Sequence, residues 1–203
     1  MIDIEDIELV DSYECTNKIR YKDMYYLVDK NKNKILLKSK IYFDLLKSKY
    51  ILFENKDKTI ITDVQGNILS KHKGYRLEYE ELNDSFIFRK NDKQGVMSVK
   101  GKILINPKYD KIYYIPEIRG YIVKQNDKFG IIDEFENLII PIEYKGFHSP
   151  KWNLLCAKKD NKWGVINYKN ETVISFEYDE LLSVSVGDKF KAKKNRVQEM
   201  VFI

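Results

Sequence analysis

The strongest constraint on this chain is internal repetition. Asn126-Asp127-Lys128-Phe129-Gly130-Ile131-Ile132 recurs as Asp160-Asn161-Lys162-Trp163-Gly164-Val165-Ile166 and as Asn91-Asp92-Lys93-Gln94-Gly95-Val96-Met97, a stride of about 35 residues. About sixteen positions beyond each lysine stands a tyrosine, namely Tyr109, Tyr144 and Tyr178. The same stride lands on Lys58-Thr59-Ile60-Ile61, on Met24-Tyr25-Tyr26-Leu27 and on Val197-Gln198-Glu199-Met200, where the glycine is gone. A fixed period in this range predicts stacked supersecondary units rather than one irregular core.

Within a unit the apolar residues follow strand periodicity, in short runs rich in Ile, Val, Tyr and Phe with turn residues every eight to twelve positions. The clearest unit reads as strands at Lys111–Ile115, Tyr121–Gln125, Phe129–Asp133 and Asn137–Ile140. Asn126-Asp127 closes a tight hairpin because both residues tolerate positive φ. Lys100-Gly101, Gln65-Gly66-Asn67 and Lys169-Asn170 close the next one, and Pro107 or Pro141 is expected to end the strand beyond it, since proline donates nothing to a ladder.

The expectation is an all-β array of about six antiparallel meanders in one domain, residues 1–203. Repeats are degenerate over 1–92, clear over 93–182 and incomplete over 183–203. The chain opens on a strand at Ile4–Val10 and closes at Val197–Ile203, one strand short, which favours an open, curved stack over a propeller-like ring. A unit of this size buries too little apolar surface to offset its own ordering, so neighbours must supply the rest.

Lys162-Trp163-Gly164-Val165-Ile166-Asn167, then Thr172-Val173-Ile174 and Phe176-Glu177-Tyr178-Asp179, resembles the WG repeat (KWG repeat) of bacterial β-repeat proteins. Lys128-Phe129-Gly130-Ile131-Ile132-Asp133 with Pro141 and Tyr144, and Gln94-Gly95-Val96 with Pro107-Lys108-Tyr109-Asp110, extend the resemblance over Gly95 to Leu182. In the first ninety residues only the spacing persists. The resemblance implies a binding array with framework positions and no shared catalytic residue. Those positions have physical reasons of their own: Gly130 and Gly164 let a neighbouring backbone or ring approach, while Trp163 and the three repeat tyrosines are expected to pack.

Charge excludes little. The 36 Lys and Arg against 31 Asp and Glu leave a formal +5, too mild to require nucleic acid or a membrane surface. Two cysteines, Cys15 and Cys156, allow at most one disulfide, the acidic opening Met1 to Glu8 is unlike a secretory signal, and no apolar run approaches a membrane span. A cytoplasmic, soluble protein is the expectation. Chemistry is sparse too. His72 and His148 lie in different units, and Cys156 sits in an apolar strand where a thiol is inert, so pairing it with His148 makes a poor catalytic dyad. Ligand spacings for zinc or calcium and a phosphate-binding loop are lacking, so neither metal nor cofactor is expected. Lysines interleaved with aromatics, as in Lys108 to Tyr114, read as solvated strand faces rather than a single-strand nucleic-acid groove.

Recognition belongs where units differ. Ile115-Pro116-Glu117-Ile118-Arg119-Gly120 is a longer connection, and Lys145 to Trp152 reads as a loop that the period does not account for. Tyr113, Tyr114, Arg119, Phe147, His148 and Trp152 are therefore the candidate partner-binding residues, being aromatics and an arginine on or beside connections. The acidic residues among the first 14 and the basic cluster Lys189, Lys191, Lys193, Lys194 and Arg196 suggest either that the ends meet or that one end binds a charged partner. The functional expectation is a non-catalytic scaffold that binds another protein, with a bacterial immunity protein occluding a toxin as the specific role. A binder of carbohydrate or cell-envelope polymer, stacking on Trp152 and Tyr113, is the alternative.

Overall fold

The structure, a computed structural model, describes residues 7–12, 16–29, 31, 34–39, 43–47, 49–54, 58–151, 153–183 and 189–203. These form antiparallel meanders that follow one another along the chain. The first sheet is β1 (Ile7–Ser12), β2 (Thr16–Tyr21), β3 (Met24–Asp29) and β4 (Lys34–Ser39); the second is β5 (Phe43–Leu46), β6 (Tyr50–Glu54), β7 (Lys58–Asp63) and β8 (Ile68–Lys73). The third holds β9 (Arg76–Glu80), β10 (Ser85–Lys90), β11 (Lys93–Ser98) and β12 (Ile103–Tyr109), and the fourth β13 (Lys111–Ile115), β14 (Gly120–Gln125), β15 (Lys128–Asp133) and β16 (Leu138–Tyr144). The fifth comprises β17 (Gly146–Lys151), β18 (Leu154–Lys159), β19 (Lys162–Asn167) and β20 (Thr172–Tyr178), and the sixth has three strands, β21 (Glu180–Ser183), β22 (Lys189–Lys194) and β23 (Val197–Phe202). Six units with a shorter last one match the expectation, including the degenerate repeats at Met24, Lys58 and Val197. Of the expected opening strand, Ile4 to Asp6 lie outside the described residues.

Residue contacts group Met1–Lys90 with Val96–Ile103 in one compact unit and Asn91–Gly95 with Leu104–Ile203 in another. In the first unit, Leu27 packs with Phe43, Leu45 and Ile51, joining the first sheet to the second. Leu52 and Ile61 of the second sheet pack with Phe86, Phe88 and Met97 of the third. In the second unit, Ile131, Ile140 and Tyr144 of the fourth sheet meet Leu155, Ala157 and Ile166 of the fifth. Cys156, Val165 and Ile174 on the opposite face of the fifth sheet meet Leu181, Phe190 and Ala192 of the sixth. The strands β18 and β19 thus alternate side chains between two buried faces, which is why they read as nearly continuous apolar runs.

The repeated residues have repeated jobs. The β2-to-β3 type of hairpin is closed by Asn91-Asp92, Asn126-Asp127, Asp160-Asn161 and Asn195-Arg196, with both residues of every pair at positive φ and so the twist a two-residue hairpin needs. The following loop opens on a residue whose Oδ1 accepts two backbone N–H groups: Asp63 from Gln65 and Asn67, Asp133 from Phe135 and Asn137, Asn167 from Lys169 and Glu171. One amide then donates to one carboxylate across each loop, Asn67 to Asp63 at 2.8 Å, Asn137 to Asp133 at 2.9 Å and Asn167 to Glu171 at 2.6 Å.

The aspartate after the repeat tyrosine links adjacent units. Asp110 accepts from Lys93 Nζ at 2.5 Å and from the Asn126 N–H at 2.9 Å; Asp179 accepts from Lys162 Nζ at 2.6 Å and from the Asn195 N–H at 3.0 Å. Lys145 occupies the corresponding place between them, and its N–H donates to the Lys158 carbonyl at 2.7 Å as those of Asp110 and Asp179 do to Lys124 and Lys193. The backbone arrangement is kept while the carboxylate is lost.

Two expectations are corrected. Pro141 does not end its strand: Phe129 pairs with Tyr144 and Ile131 with Ile140, so β16 bulges at Pro141 and continues. Pro107 likewise lies inside β12. Glycine makes the bulge possible, since a Cβ on Gly130 would stand 2.7 Å from the Ile140 carbonyl oxygen and one on Gly164 2.6 Å from that of Ile174. Where the glycine is replaced, by Tyr26 and Ile60, pairing with the fourth strand runs flat through that position. The segment from Lys145 is not a loop either. Gly146–Lys151 is the first strand of the fifth sheet, and Phe147 stands where Ile112 and Leu181 stand in their units.

Candidate interaction surface

The residues singled out from the sequence do not gather into one site. Tyr113 on β13 is 52% exposed. Its neighbour Tyr114 is half-buried against Tyr121, ring centroids 5.2 Å apart. Arg119 follows a single 3-10 turn at Pro116–Ile118, has φ 49°, and extends toward Glu134 at 3.9 Å. The longer connection is therefore real. Phe147 is part of the core between the fourth and fifth sheets, its ring 5.1 Å from Tyr144 and 6.3 Å from Phe129. It is a framework residue, and Gly146 and Pro150 beside it mimic loop composition. His148 is half-buried with its ring 4.3 Å from Trp163, and burial pushes its pKa below the ordinary histidine value. Trp152 lies outside the described residues.

His148 and Cys156 are cross-strand partners, but the thiol is fully buried and desolvation pushes its pKa up to about 12. A thiol so protonated is a packing group. Trp163 packs against the cluster shared by the fifth and sixth sheets, and Tyr109, Tyr144 and Tyr178 are buried. Among the described residues no group of three or more His, Cys, Asp or Glu could hold a metal ion, and no helix is long and apolar enough to cross a membrane. The acidic residues of the opening segment before Ile7 lie outside the described residues.

A different surface emerges when equivalent positions are compared across sheets. Leu27, Ile61, Val96, Ile131 and Val165 hold the same place on the third strand of successive units, and all are fully buried. In the sixth sheet this place belongs to Met200, which is 41% exposed. The cross-strand partners of these residues are Lys18, Leu52, Ile122 and Cys156 where the pairing is described, and Lys191 opposite Met200. Further along the same strand, Gln198 replaces Phe129 and Trp163, and Glu199 replaces Gly130 and Gly164.

The sixth sheet therefore has one face buried through Leu181, Phe190 and Ala192 and another that keeps the backbone of an interior face with altered side chains. That second face carries a groove of about 480 Å³ whose walls include Leu182, Met200, Lys191 and Gln198. Leu182 is 55% exposed. Glu180 and Lys193 pair at 3.0 Å on its rim, and among the described residues no strand pairs with the outer edge of β23. Sequence reading singled out Lys191 and Lys193 as part of a basic cluster but missed the apolar part of this surface, Leu182 and Met200, because β22 and β23 alternate like ordinary solvated strands. The available signal was substitution at three framework positions, Lys191, Gln198 and Glu199, within an otherwise intact stride.

The profile of the WG containing repeat family matches residues 95–129, 129–163 and 163–196, about half of the chain. No curated protein sequence matches it. Among solved structures the chain is similar to a crystal structure of the eukaryotic initiation factor, at 10% identity and a TM-score of 0.52 over 93% of this chain and 63% of that one. It is also similar to dihydro-heme d1 dehydrogenase NirN in complex with DHE (10% identity, TM-score 0.44, 90% and 49% of the two chains) and to the WD40 domain of SCAP from fission yeast (12%, 0.40, 92% and 61%). The chain spans less than two thirds of the length of each. At such identity the first likeness is one of fold alone.

Proposed function

The chain belongs to the WG containing repeat family, and from that premise we propose that it is a non-catalytic scaffold that binds another protein. The observation carrying this reading is Met200, which is solvent-exposed at a place buried in every other unit. An exposed sheet face with Leu182 and Met200 on it and charge at its rim supports a docking surface. The specific role we assign is that of a cytoplasmic bacterial immunity protein: a rigid β array blocks a toxin by covering it and needs no chemistry of its own. Of the basic cluster, Lys193 and Lys194 are paired with Glu180 and Glu177, and the exposed Lys191 on this face favours an acidic partner surface.

The test is co-expression with the products of neighbouring reading frames. The expected result is one protein retained at one-to-one stoichiometry, its toxicity suppressed. Retention on insoluble polysaccharide without a protein partner would instead support polymer binding, for which the exposed ring of Tyr113 is the available stacking face.

A further inference from the structure

We propose that the groove on the outward face of the sixth sheet binds a segment of a partner protein that sets an apolar side chain on Leu182 and Met200 and a carboxylate on Lys191. This rests on the scaffold reading and names the chemistry of its partner. The first two sheets contain the template. Lys18 and Leu27 are cross-strand partners in the first sheet, as Lys191 and Met200 are in the sixth. There the second sheet covers the face: Phe43 packs on Leu27, the Lys18 ammonium lies 5.3 Å from the centre of the Phe43 ring, and Asp44 stands 3.5 Å from it. Under that cover Lys18 and Leu27 are fully buried.

The chain thus shows two groups that accompany a buried lysine on this face. A ring or aliphatic group shields the stem, and an adjacent carboxylate receives the ammonium. Burying the charge without that carboxylate would be costly, so the requirement selects the partner. In the sixth sheet the same pair of positions is uncovered, and Lys193, the other cation on the groove wall, is already paired with Glu180. The groove's volume of about 480 Å³ suits a few side chains of an extended segment. Glu199 adds a limit. It replaces the glycine that a bulge at this position requires, so a segment that also reaches the edge of β23 must pair regularly opposite Glu199, as β4 and β8 do opposite Tyr26 and Ile60.

The experiment is an amide-resolved NMR titration of the full chain with a blocked synthetic peptide, Tyr-Phe-Asp-Leu-Leu, which copies residues 42–46, and with its Asp-to-Lys counterpart. The expected result is saturable shifts confined to 180–183 and 189–202, with at least tenfold weaker binding of the lysine peptide. Lys191→Glu should reverse the preference while the unfolding midpoint stays put, because Lys191 is exposed. Equal affinity for both peptides, shifts elsewhere, or no saturable shift would overturn the assignment. So would concentration-dependent association of the chain alone that Lys191→Glu abolishes, since a second copy would then be the occupant. A captured toxin whose binding is indifferent to Lys191→Glu would sink this site and leave the scaffold reading standing.

Discussion

At the residue scale, the glycines of the repeat are defined by what crosses them. A methyl group on Gly130 or Gly164 would lie within 2.7 Å of a neighbouring carbonyl oxygen, whereas one on Gly146 would meet only Trp163 Cη2, at 3.5 Å. Gly130→Ala and Gly164→Ala should each destabilise the fold by about 1–3 kcal/mol, the range for forcing volume into packed structure. Gly146→Ala should stay within about 0.5 kcal/mol; chemical denaturation of the three variants decides. Histidine supplies a second prediction. Burial lowers the pKa of both His72 and His148 from 6.5, so the folded chain binds these protons less readily than the unfolded one. Stability is therefore full above pH 6.5 and falls as the pH drops through that value toward the depressed folded pKa values. Thermal unfolding followed between neutral and mildly acidic pH should show the loss, and His148→Phe should reduce it.

At the scale of elements, the missing carboxylate at Lys145 predicts a gain. Lys145→Asp would restore the link that Asp110 and Asp179 make from a repeat lysine to the next hairpin, with Lys128 Nζ and the Asp160 N–H as donors. The unfolding midpoint should rise at low salt, and the rise should shrink at high salt, as for any exposed ion pair. An unchanged midpoint would mean that the ladder of aspartates orders the hairpins without stabilising them. Strands and hairpins were legible in the sequence because Asn126-Asp127 and its counterparts are local signals, each sufficient for its own turn. The bulge at Pro141 was not, since it depends on Gly130 across the ladder and a proline read alone looks like a stop. Phe147 was misplaced for a related reason: Gly146 and Pro150 have turn composition, and only alignment with Ile112 and Leu181 reveals the strand.

At the scale of the molecule, the fifth and sixth sheets share a core, so the stability of the fifth depends on the sixth. Deleting β21 to β23 would uncover Cys156, Val165 and Ile174 and remove Leu181 and Phe190 from burial. At roughly 1.5–3 kcal/mol for each large side chain, the loss should exceed about 3 kcal/mol. A urea unfolding curve of the shortened chain that overlays the parent would refute this coupling. The candidate surface was illegible from one unit because nothing in β23 by itself is unusual. Met200 becomes informative only beside Leu27, Ile61, Val96, Ile131 and Val165, that is, once burial is compared at matched places.

The loops that pair one amide with one carboxylate carry a chemical clock. Slow loss of ammonia from Asn67, Asn137 or Asn167 would convert the amide into a second acid facing Asp63, Asp133 or Glu171. Two like charges would then share a space now held by a hydrogen bond. Deamidated forms of the purified protein, located by mass spectrometry, should therefore unfold at a lower midpoint wherever the new acid lies in one of these three loops, which the fold builds on one plan.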